Sequence, residues 1–395
     1  MGWRQRLAEQ LAKREAASLR RELVWGAIDG PYVERDGRRL VNFASNDYLA
    51  LAGDPRLARA ASEAARVYGT GAGASRLVTG SQPVHGALER RWAAYKHDEA
   101  ALLCPTGFMA NLAVVTGLAG EGDLVCLDKL DHASLIDAAR LSGATVRVYP
   151  HRRPDKLERL LAEHQDEAPE ARRLVVTDGV FSMDGDVADL PALADLAEAH
   201  DAILVVDEAH GTGVLGEGGR GLAEAQGVSD RVPVSVATAS KALGGLGGLV
   251  SGPQVVIDTL VNHARSFIYT TGAMPIQAAV IGAALTLVEE EPDRRQRLAE
   301  RARAVRQRLA ATEVGGEIDP DPAIVTPIVP LIVGEADRAL ALATHLGEAG
   351  LLAPAIRPPT VAPDSSRIRI SLRADHTDRH IDQLVEAVAE WGSGG

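Results

Sequence analysis

The strongest constraint on the fold is a repeated pattern between about residue 98 and about residue 252. Here short apolar runs end at polar or glycine residues and are followed by stretches with helical spacing of their apolar residues. Near-continuous apolar runs that alternate with helices are typical of buried parallel strands. The pattern predicts an α/β fold with a mostly parallel central sheet, whose ligands bind outside the carboxyl ends of the strands. The runs are EAALLC, DLVCLD, TVRVYP, RLVVTD, AILVVD, VSVAT and GGLVSG.

At 395 residues the chain is longer than one hydrophobic core usually requires. We expect an N-terminal helix and strand segment over residues 1–50, a large α/β domain over residues 51–285 and a smaller α+β domain over residues 286–395. A long helix rich in Ala, Leu, Glu and Arg is predicted after Pro275 as the connection between the two domains. The acidic run at residues 289–291 is interpreted as a solvated helix face.

The C-terminal domain shows both kinds of periodicity. Strand character covers residues 324–333 and residues 367–372, and helical spacing covers residues 336–349. A last helix is predicted to run through Trp391. This order of elements predicts a small mixed domain beside the large sheet.

The composition excludes several classes of function. A formal net charge of −12 leaves no surplus of clustered Lys and Arg for a broad nucleic-acid surface. No apolar run is long enough to span a bilayer, and the charged N-terminus lacks the apolar stretch of a secretory signal. The two cysteines, Cys104 and Cys126, lie within apolar runs, so we expect buried structural thiols and a cytoplasmic location. No metal site is predicted.

A carboxylate, a histidine and a lysine follow two of the predicted strands. Asp207 ends the run AILVVD, His210 comes three residues later, and Lys241 follows VSVAT in a glycine-rich turn. By themselves Asp207 and His210 are equally explained by turn capping and packing. In an apolar setting, however, desolvation should lower the pKa of Lys241, and a neutral amine can form a Schiff base. A carboxylate such as Asp207 would keep a pyridine nitrogen protonated, so that the ring can accept electrons.

A candidate phosphate site lies in the segment CPTGFMAN. Gly107 and Phe108 stand at a turn that opens a helix, where free N–H groups and the helix dipole favour an anion. Thr238 and Ser240 can add hydroxyl donors. Glycine at a strand-to-helix turn is commonplace, so this motif gains its weight from Asp207 and Lys241.

Two further side chains are candidates for contact with a planar ring. His132 in LDHASLIDAA follows a predicted strand, where its imidazole could stack on the ring or only hydrogen-bond the backbone at a helix start. Ser182 in GVFSMDGD could bond a phenolic oxygen or only stabilise its own turn.

Taken together, these segments resemble the α-oxoamine synthases, which are fold-type-I pyridoxal-phosphate enzymes. The resemblance extends from the first predicted helix to the last. It rests on NFASNDYLAL, CPTGFMAN, DHASLIDAA, GVFSMDGD, VVDEAHGTGVLGEGGRG, the segment around Lys241 and AIRPPTV. The chain departs from the common pattern at Ala50, where the family usually has glycine, and in the residues that flank Lys241.

The resemblance assigns the predicted residues to a pyridoxal 5'-phosphate site. It implies that Lys241 binds the cofactor, that Asp207 pairs with the pyridine nitrogen and that His132 stacks on the ring. The remaining assignments are His210 and Ser182 to the phenolic oxygen, Gly107, Phe108, Thr238 and Ser240 to the phosphate, and Thr270 and Thr271 to the phosphate of the neighbouring subunit in a homodimer with shared sites.

The resemblance also implies the substrates. Arg357 would pair with the carboxylate of an amino acid, and Arg20, Asn46 and Thr360 would line the substrate side. The AIRPPTV segment favours decarboxylative condensation of L-alanine with a pimeloyl thioester. In that reaction Lys241 would remove the α-proton, and CO2 and the thiol carrier would be released.

Three alternative functions stay open at this point. A glycine-using acyltransferase would employ the same scaffold, and an aminotransferase would need no acyl thioester. A non-catalytic partner subunit would keep the fold and lose the lysine, so the presence of Lys241 argues against it.

Overall fold

The computed structural model describes residues 2–16 and 19–393. Within that part of the chain, no helix is both long and apolar enough to cross a lipid bilayer. Strands and helices alternate through the middle of the chain, as the apolar pattern predicted. The strands are β1 (Ile28–Asp29), β2 (Tyr32–Arg35), β3 (Arg38–Asn42), β4 (Ala100–Cys104), β5 (Leu124–Asp128), β6 (Thr145–Tyr149), β7 (Arg173–Asp178), β8 (Ala202–Asp207), β9 (Val234–Thr238), β10 (Gly248–Gly252), β11 (Ile328–Gly334), β12 (Leu351–Leu352), β13 (Ala355–Ile356) and β14 (Ser366–Ser371).

The helices have recognisable start signals. Several of them begin at a proline, whose fixed φ suits the first helical position and whose missing N–H is not needed there. The helices are α1 (Trp3–Ala16), α2 (Pro55–Tyr68), α3 (Pro83–Lys96), α4 (Gly107–Leu118), α5 (Ala133–Ser142), α6 (Pro154–Glu167), α7 (Leu190–Ala199), α8 (Leu222–Ala225), α9 (Gln254–His263), α10 (Arg265–Ile268), α11 (Pro275–Glu290), α12 (Asp293–Ala310), α13 (Ala336–Glu348) and α14 (Asp378–Ser393).

The central sheet has seven strands in the order β4-β10-β9-β8-β7-β5-β6. Strands β5 to β9 are parallel, which confirms the predicted mostly parallel sheet. Strand β10 differs, since it is antiparallel to both β4 and β9. The connection between β9 and β10 covers only residues 239–247, and parallel strands need a crossover of about a dozen residues or more. The turn that carries Lys241 therefore reverses the chain direction.

Two hydrophobic clusters cover the two faces of this sheet. One lies under α4, α5 and α9, and the other joins the opposite face to the C-terminal part of the chain. Cys104 and Cys126 are buried and free, as expected for structural thiols. Burial raises the pKa of both thiols to about 12, so neither is a reactive thiolate.

The C-terminal part contains an antiparallel sheet in the order β11-β14-β13, packed with α12, α13 and α14. Strand β12 instead pairs in parallel with β3, so the N-terminal strands join the C-terminal part. The predicted boundary near residue 285 falls inside α11, and the division into domains stays a prediction. The predicted elements at residues 336–349 and 367–372 match α13 and β14 closely, whereas the strand expected from residue 324 begins at Ile328.

The acidic run at residues 289–291 is not simply a solvated face. Glu289 pairs with Arg91 at 2.7 Å, and Glu291 pairs with Arg56 at 2.5 Å and with Arg294 at 2.6 Å. The side chain of Glu291 is 28% exposed. These ion pairs hold α2 and α3 to the start of the C-terminal part, so the expectation was wrong for Glu291.

Candidate active site

A pocket of about 230 Å³ lies at the carboxyl ends of β7, β8 and β9, beside the first turn of α4. This is the edge of the sheet at which parallel strands of α/β folds bind their ligands. The residues predicted to bind the cofactor come from separate elements and meet here, with the exception of Thr270 and Thr271. Those that line the pocket are Gly107, Phe108, His132, Ser182, Asp207, His210, Thr238, Ser240 and Lys241.

Lys241 is the central base of the pocket. Its Nζ lies 2.9 Å from Nε2 of His210. Burial lowers the pKa of Lys241 to about 8, with a further contribution from the positive charge of Arg369, while Asp207 and Asp178 oppose the shift. A substantial fraction of the amine is therefore neutral near physiological pH.

His210 connects Lys241 to a buried tyrosine. Its Nδ1 lies 2.7 Å from the hydroxyl of Tyr48, so both ring nitrogens have hydrogen-bond partners. Burial lowers the pKa of His210 well below its usual value, and the charge of Lys241 acts in the same direction. Burial also raises the pKa of Tyr48 to about 12. His210 is accordingly a neutral imidazole between a neutral phenol and the amine.

Asp207 is held by two hydrogen bonds on one side of the pocket. Its Oδ2 accepts from Nδ2 of Asn111 at 2.6 Å, and its Oδ1 accepts from the N–H of Ala209 at 2.8 Å. The second bond is the local turn interaction that the sequence left open. Asn111 also donates to the hydroxyl of Ser134 at 2.8 Å, which fixes the amide in α4. The carboxylate is thereby oriented at the base of the pocket.

The first turn of α4 forms a cradle for an anion. Thr106 caps the helix by accepting from the N–H of Met109 at 3.2 Å, and first-turn amides have no partner within the helix. A Cβ on Gly107 would lie 3.0 Å from Cβ of Thr238, so glycine is favoured where these two segments approach. The hydroxyls of Thr238 and Ser240 lie 2.8 Å apart beside this turn. Amides, hydroxyls and the helix dipole together fit a phosphate group.

His132 occupies the start of α5 at the mouth of the pocket. Its Nδ1 lies 2.7 Å from the hydroxyl of Ser134, and its backbone N–H donates to Asp178 at 3.0 Å. Nδ1 also accepts from the backbone N–H of Ser134 at 3.2 Å, so the helix-capping role weighed from the sequence is present. The exposed ring also lines the pocket, and its stacking role stays a prediction.

Of the residues predicted to bind substrate, His132 lines this pocket and the others lie outside it. Oδ1 of Asn46 accepts from Arg369 at 3.2 Å, directly behind Tyr48. Arg20 pairs with Glu15 at 2.7 Å. The two residues of the AIRPPTV segment, Arg357 and Thr360, line a separate cavity, and Thr270 and Thr271 lie elsewhere on the surface.

Sequence reasoning missed three residues that complete the site, namely Tyr48, Asn111 and Arg369. Arg369 is buried, and its Nε donates to the carbonyl oxygen of Ser182 at 2.5 Å. Strand β14 has the sequence SRIRIS, in which Arg369 stands between two isoleucines, and this placement of a charged residue was a usable signal. Tyr48 and Asn111 lie within motifs that had been recognised, but nothing local distinguished them from core residues.

Ala50 lies two residues after Tyr48, at the position where the chain departs from the family motif by replacing the usual glycine. Its φ is 55°, in the left-handed region where glycine is favoured. The loop keeps this conformation with alanine in the position.

Known proteins are similar to this chain over nearly its whole length. The family model for aminotransferase class I and II matches residues 38–388. The 8-amino-7-oxononanoate synthase of Alkalilimnicola ehrlichii is 48% identical over 97% of this chain and 97% of its own. That of Halorhodospira halophila is 48% identical over 97% of this chain and 94% of its own. The chain belongs to the 8-amino-7-oxononanoate synthase family.

Solved structures support the same grouping by fold. Serine palmitoyltransferase of Sphingomonas wittichii has a TM-score of 0.91 at 29% identity and covers 100% of this chain and 99% of its own. The 8-amino-7-oxononanoate synthase of Francisella tularensis has a TM-score of 0.75 at 28% identity and covers 90% of this chain and 98% of its own. This family has the fold-type-I transferase architecture, which confirms the predicted fold class.

Proposed function

We propose that this enzyme condenses L-alanine with a pimeloyl thioester to give 8-amino-7-oxononanoate, CO2 and the free thiol carrier, in biotin biosynthesis in the cytoplasm. The enzyme is a pyridoxal-phosphate-dependent acyltransferase, as its family and fold indicate. The observation that carries the proposal is the buried Lys241, whose Nζ lies 2.9 Å from His210 in one pocket with the residues that we assign to that cofactor. The substrates themselves are proposed from the names of the relatives.

The pocket has a suitable contact for each part of the cofactor. The first turn of α4, with Thr238 and Ser240, would hold the phosphate, and Asp207 would pair with the pyridine nitrogen. His210 and Ser182 would bond the phenolic oxygen, and the ring of His132 would cover one face. When bound, pyridoxal phosphate supplies an electron-accepting ring that stabilises a carbanion on the amino acid.

The protein's own contribution to the chemistry centres on Nζ of Lys241. As a neutral amine, Nζ can accept the α-proton of L-alanine and later return a proton to the product. His210 stays neutral beside it and orients the amine through the 2.9 Å contact. Tyr48 fixes the imidazole from the other side. A buried amine with a pKa of about 8, held in place in this way, is matched to proton transfer near neutral pH.

We assign the amino-acid carboxylate to Arg369. Arg369 contacts Ser182, which lines the pocket, and its charge lowers the pKa values of both Lys241 and His210. A guanidinium is suited to a carboxylate because it can donate two parallel hydrogen bonds. Arg357, for which the resemblance implies the same role, lines a different cavity. Its assignment stays a prediction.

The proposed homodimer would complete the phosphate end of the pocket. Phe108 and Leu246 line that end and are 43% and 46% exposed, and Tyr269, next to Thr270 and Thr271, is 72% exposed. Exposed apolar side chains beside a ligand site are typical of an interaction surface. Thr270 and Thr271 of one subunit would then reach the cofactor phosphate of the other.

Spectroscopy combined with thiol release tests the proposal. The protein is purified with pyridoxal phosphate, and its visible absorption is followed on addition of L-alanine, glycine and then pimeloyl-CoA. We expect a spectral response to L-alanine and release of free thiol only when L-alanine and the thioester are both present. A preference for glycine with short acyl thioesters would move the assignment to a glycine-using relative. Absence of a visible band from the purified protein would refute the role of Lys241.

A further inference from the structure

One chain of hydrogen bonds links two sides of the pocket around Lys241. Nδ2 of Asn111 donates to Oδ2 of Asp207 at 2.6 Å and to the hydroxyl oxygen of Ser134 at 2.8 Å. The hydroxyl of Ser134 in turn lies 2.7 Å from Nδ1 of His132. Asp207, Asn111 and Ser134 are buried, and all four residues line the pocket. The chain therefore joins the carboxylate at the base of the pocket to the imidazole at its mouth.

The direction of each hydrogen bond in this chain follows from a backbone amide. The N–H of Ser134 donates to Nδ1 of His132 at 3.2 Å, and a backbone N–H can only donate. Nδ1 therefore carries no proton, and the hydroxyl of Ser134 must donate to it as well. The hydroxyl oxygen is left as the acceptor for Asn111, whose Nδ2 has one hydrogen for Ser134 and one for Asp207.

This direction makes His132 a neutral imidazole with its proton on Nε2. Burial lowers the pKa of His132, against the charge of Asp207 and together with the charge of Lys241. In residues 2–16 and 19–393, no group accepts a hydrogen bond from Nε2 of His132. The N–H at Nε2 is thus available to an acceptor atom of a ligand in the pocket.

The unused carbonyl of Asn111 shows that the amide does more than join two helices. Asn111 lies in α4 and Ser134 in the first turn of α5, and these helices pack together. Oδ1 of Asn111 is buried, and no group in the described part of the chain bonds to it. A buried acceptor without a partner costs free energy, so an amide placed only for packing would be expected to use it. The opposite orientation would place Oδ1 against the carboxylate of Asp207, which would repel it.

We propose that Asn111 and Ser134 are positioning residues that set Asp207 and His132 as one unit, with His132 held as a hydrogen-bond donor through Nε2. Their roles rest on the proposed function, because Asp207 and His132 receive their cofactor contacts there. Asn111 orients the carboxylate, and Ser134 extends that orientation to the imidazole. The partner of one ring nitrogen of a histidine decides where the proton lies on the other.

A double-mutant cycle on the affinity for pyridoxal phosphate tests this coupling. Ser134→Ala should weaken binding of pyridoxal phosphate to the cofactor-free protein about fivefold, equivalent to the loss of one ordinary hydrogen bond. In a His132→Phe background, which keeps an aromatic ring and removes the acceptor, Ser134→Ala should change the affinity by less than about twofold. Asn111→Ala should weaken binding more than Ser134→Ala does, because it also releases the carboxylate of Asp207.

Ser142→Ala is the matched control for these variants. Ser142 lies at the other end of α5, where its hydroxyl donates to the carbonyl of Ala139 at 2.7 Å. The affinity of this variant for pyridoxal phosphate should stay within about twofold of the wild-type value. An equal loss of affinity for Ser134→Ala with and without His132 would show that Ser134 only joins the helices and would overturn the proposal. An unchanged affinity in the Ser134→Ala single variant would overturn it as well.

The position of the proton on His132 is measured separately from the reaction. The cofactor-free protein is labelled with ¹⁵N-histidine, and the His132 signals are identified by NMR through their loss in His132→Phe. Near neutral pH we expect an unprotonated Nδ1 and a protonated Nε2. A protonated Nδ1 would contradict the direction of the chain and overturn the proposal. Because neither cofactor nor substrate is present, this result stands even where the spectroscopic test of the proposed function fails.

Discussion

Two clusters of ionisable side chains lie along the same edge of the central sheet and shift pKa values in opposite directions. Around Lys241, burial lowers the pKa of the lysine to about 8 and that of His210 well below its usual value. At the end of β5, His151 lies between Asp128 at 2.9 Å and Asp186 at 2.8 Å. Burial opposes the charge of His151 as well, yet the two carboxylates raise its pKa to about 9.

The difference lies in the groups that touch each base. Both ring nitrogens of His151 contact carboxylates, and its ring packs edge-on against Phe181 at 4.4 Å. Nζ of Lys241 instead contacts a neutral imidazole, while Asp207 is occupied by Asn111. Burial lowers the pKa of Lys241, whose amine contacts a neutral imidazole, whereas the two carboxylates that contact His151 outweigh burial and raise its pKa.

The largest expected effect is the difference in kcat/KM between substitutions in the two clusters. Lys241→Ala should lower kcat/KM by about 10³-fold or more, because it removes both the proposed cofactor attachment and the proposed proton acceptor. His151→Gln should leave kcat/KM within about threefold, because no reacting atom contacts it. Thiol release with L-alanine and pimeloyl-CoA measures both. A loss in the His151 variant comparable to that of Lys241→Ala would break the distinction.

A second prediction concerns stability and its pH dependence. The pKa of His151 is about 9 in the folded protein, above the ordinary histidine value of 6.5, so its ion pairs stabilise fully below pH 6.5 and are lost as the pH rises through 9. His151→Gln should therefore cost about 2 kcal/mol at pH 6 and little at pH 10. Urea unfolding of both proteins at the two pH values measures this difference.

Asp186→Asn provides the companion variant for the same cluster. Removal of one of the two carboxylates should lower the pKa of His151 and move the loss of stability to a lower pH. A cost of His151→Gln that is equal at pH 6 and pH 10 would show that the histidine contributes packing alone.

The smallest expected effect is a change in the pKa of Lys241 itself. Asp207→Asn removes a charge that raises this pKa, and Arg369→Gln removes one that lowers it. The first variant should shift the pKa downward and the second upward, each by about one unit, or 1.4 kcal/mol. Competitive acylation of the cofactor-free protein at a series of pH values, read by mass spectrometry, reports the pKa of this amine. Shifts in the same direction in both variants would contradict the electrostatic account.

Much of the site was predictable because its residues lie in short segments with a recognisable sequence pattern. Asp207, His210 and Lys241 each follow an apolar strand, and parallel strands bring their carboxyl ends to one edge. Their grouping in one pocket therefore followed from the strand pattern alone. The first turn of α4 was predictable for the same reason, since a glycine at that point opens a helix beside the edge.

The remainder depends on contacts between distant segments. Tyr48 and His210 are 162 positions apart, and Arg369 and Ser182 are 187 apart, so no local pattern indicates either contact. The direction of β10 was likewise hidden, because its apolar sequence is compatible with either orientation. The ion pairs of Glu291 were not predicted, because a run of acidic residues by itself indicates a solvated surface. The arginine partners of Glu291 lie in other helices, α2 and α12.

The pairing of β3 with β12 has a consequence for synthesis of the chain on the ribosome. The loop that carries Tyr48 is anchored by residues made much later, since the N–H of Ser371 donates to the carbonyl of Phe43 and that of Ala374 to the carbonyl of Tyr48. Until β12 emerges, the edge of β3 that pairs with it has no partner, and an unpaired edge favours misassociation of nascent chains. The pocket around Lys241 therefore matures only after the segment that contains Ser371 and Ala374 has been synthesised.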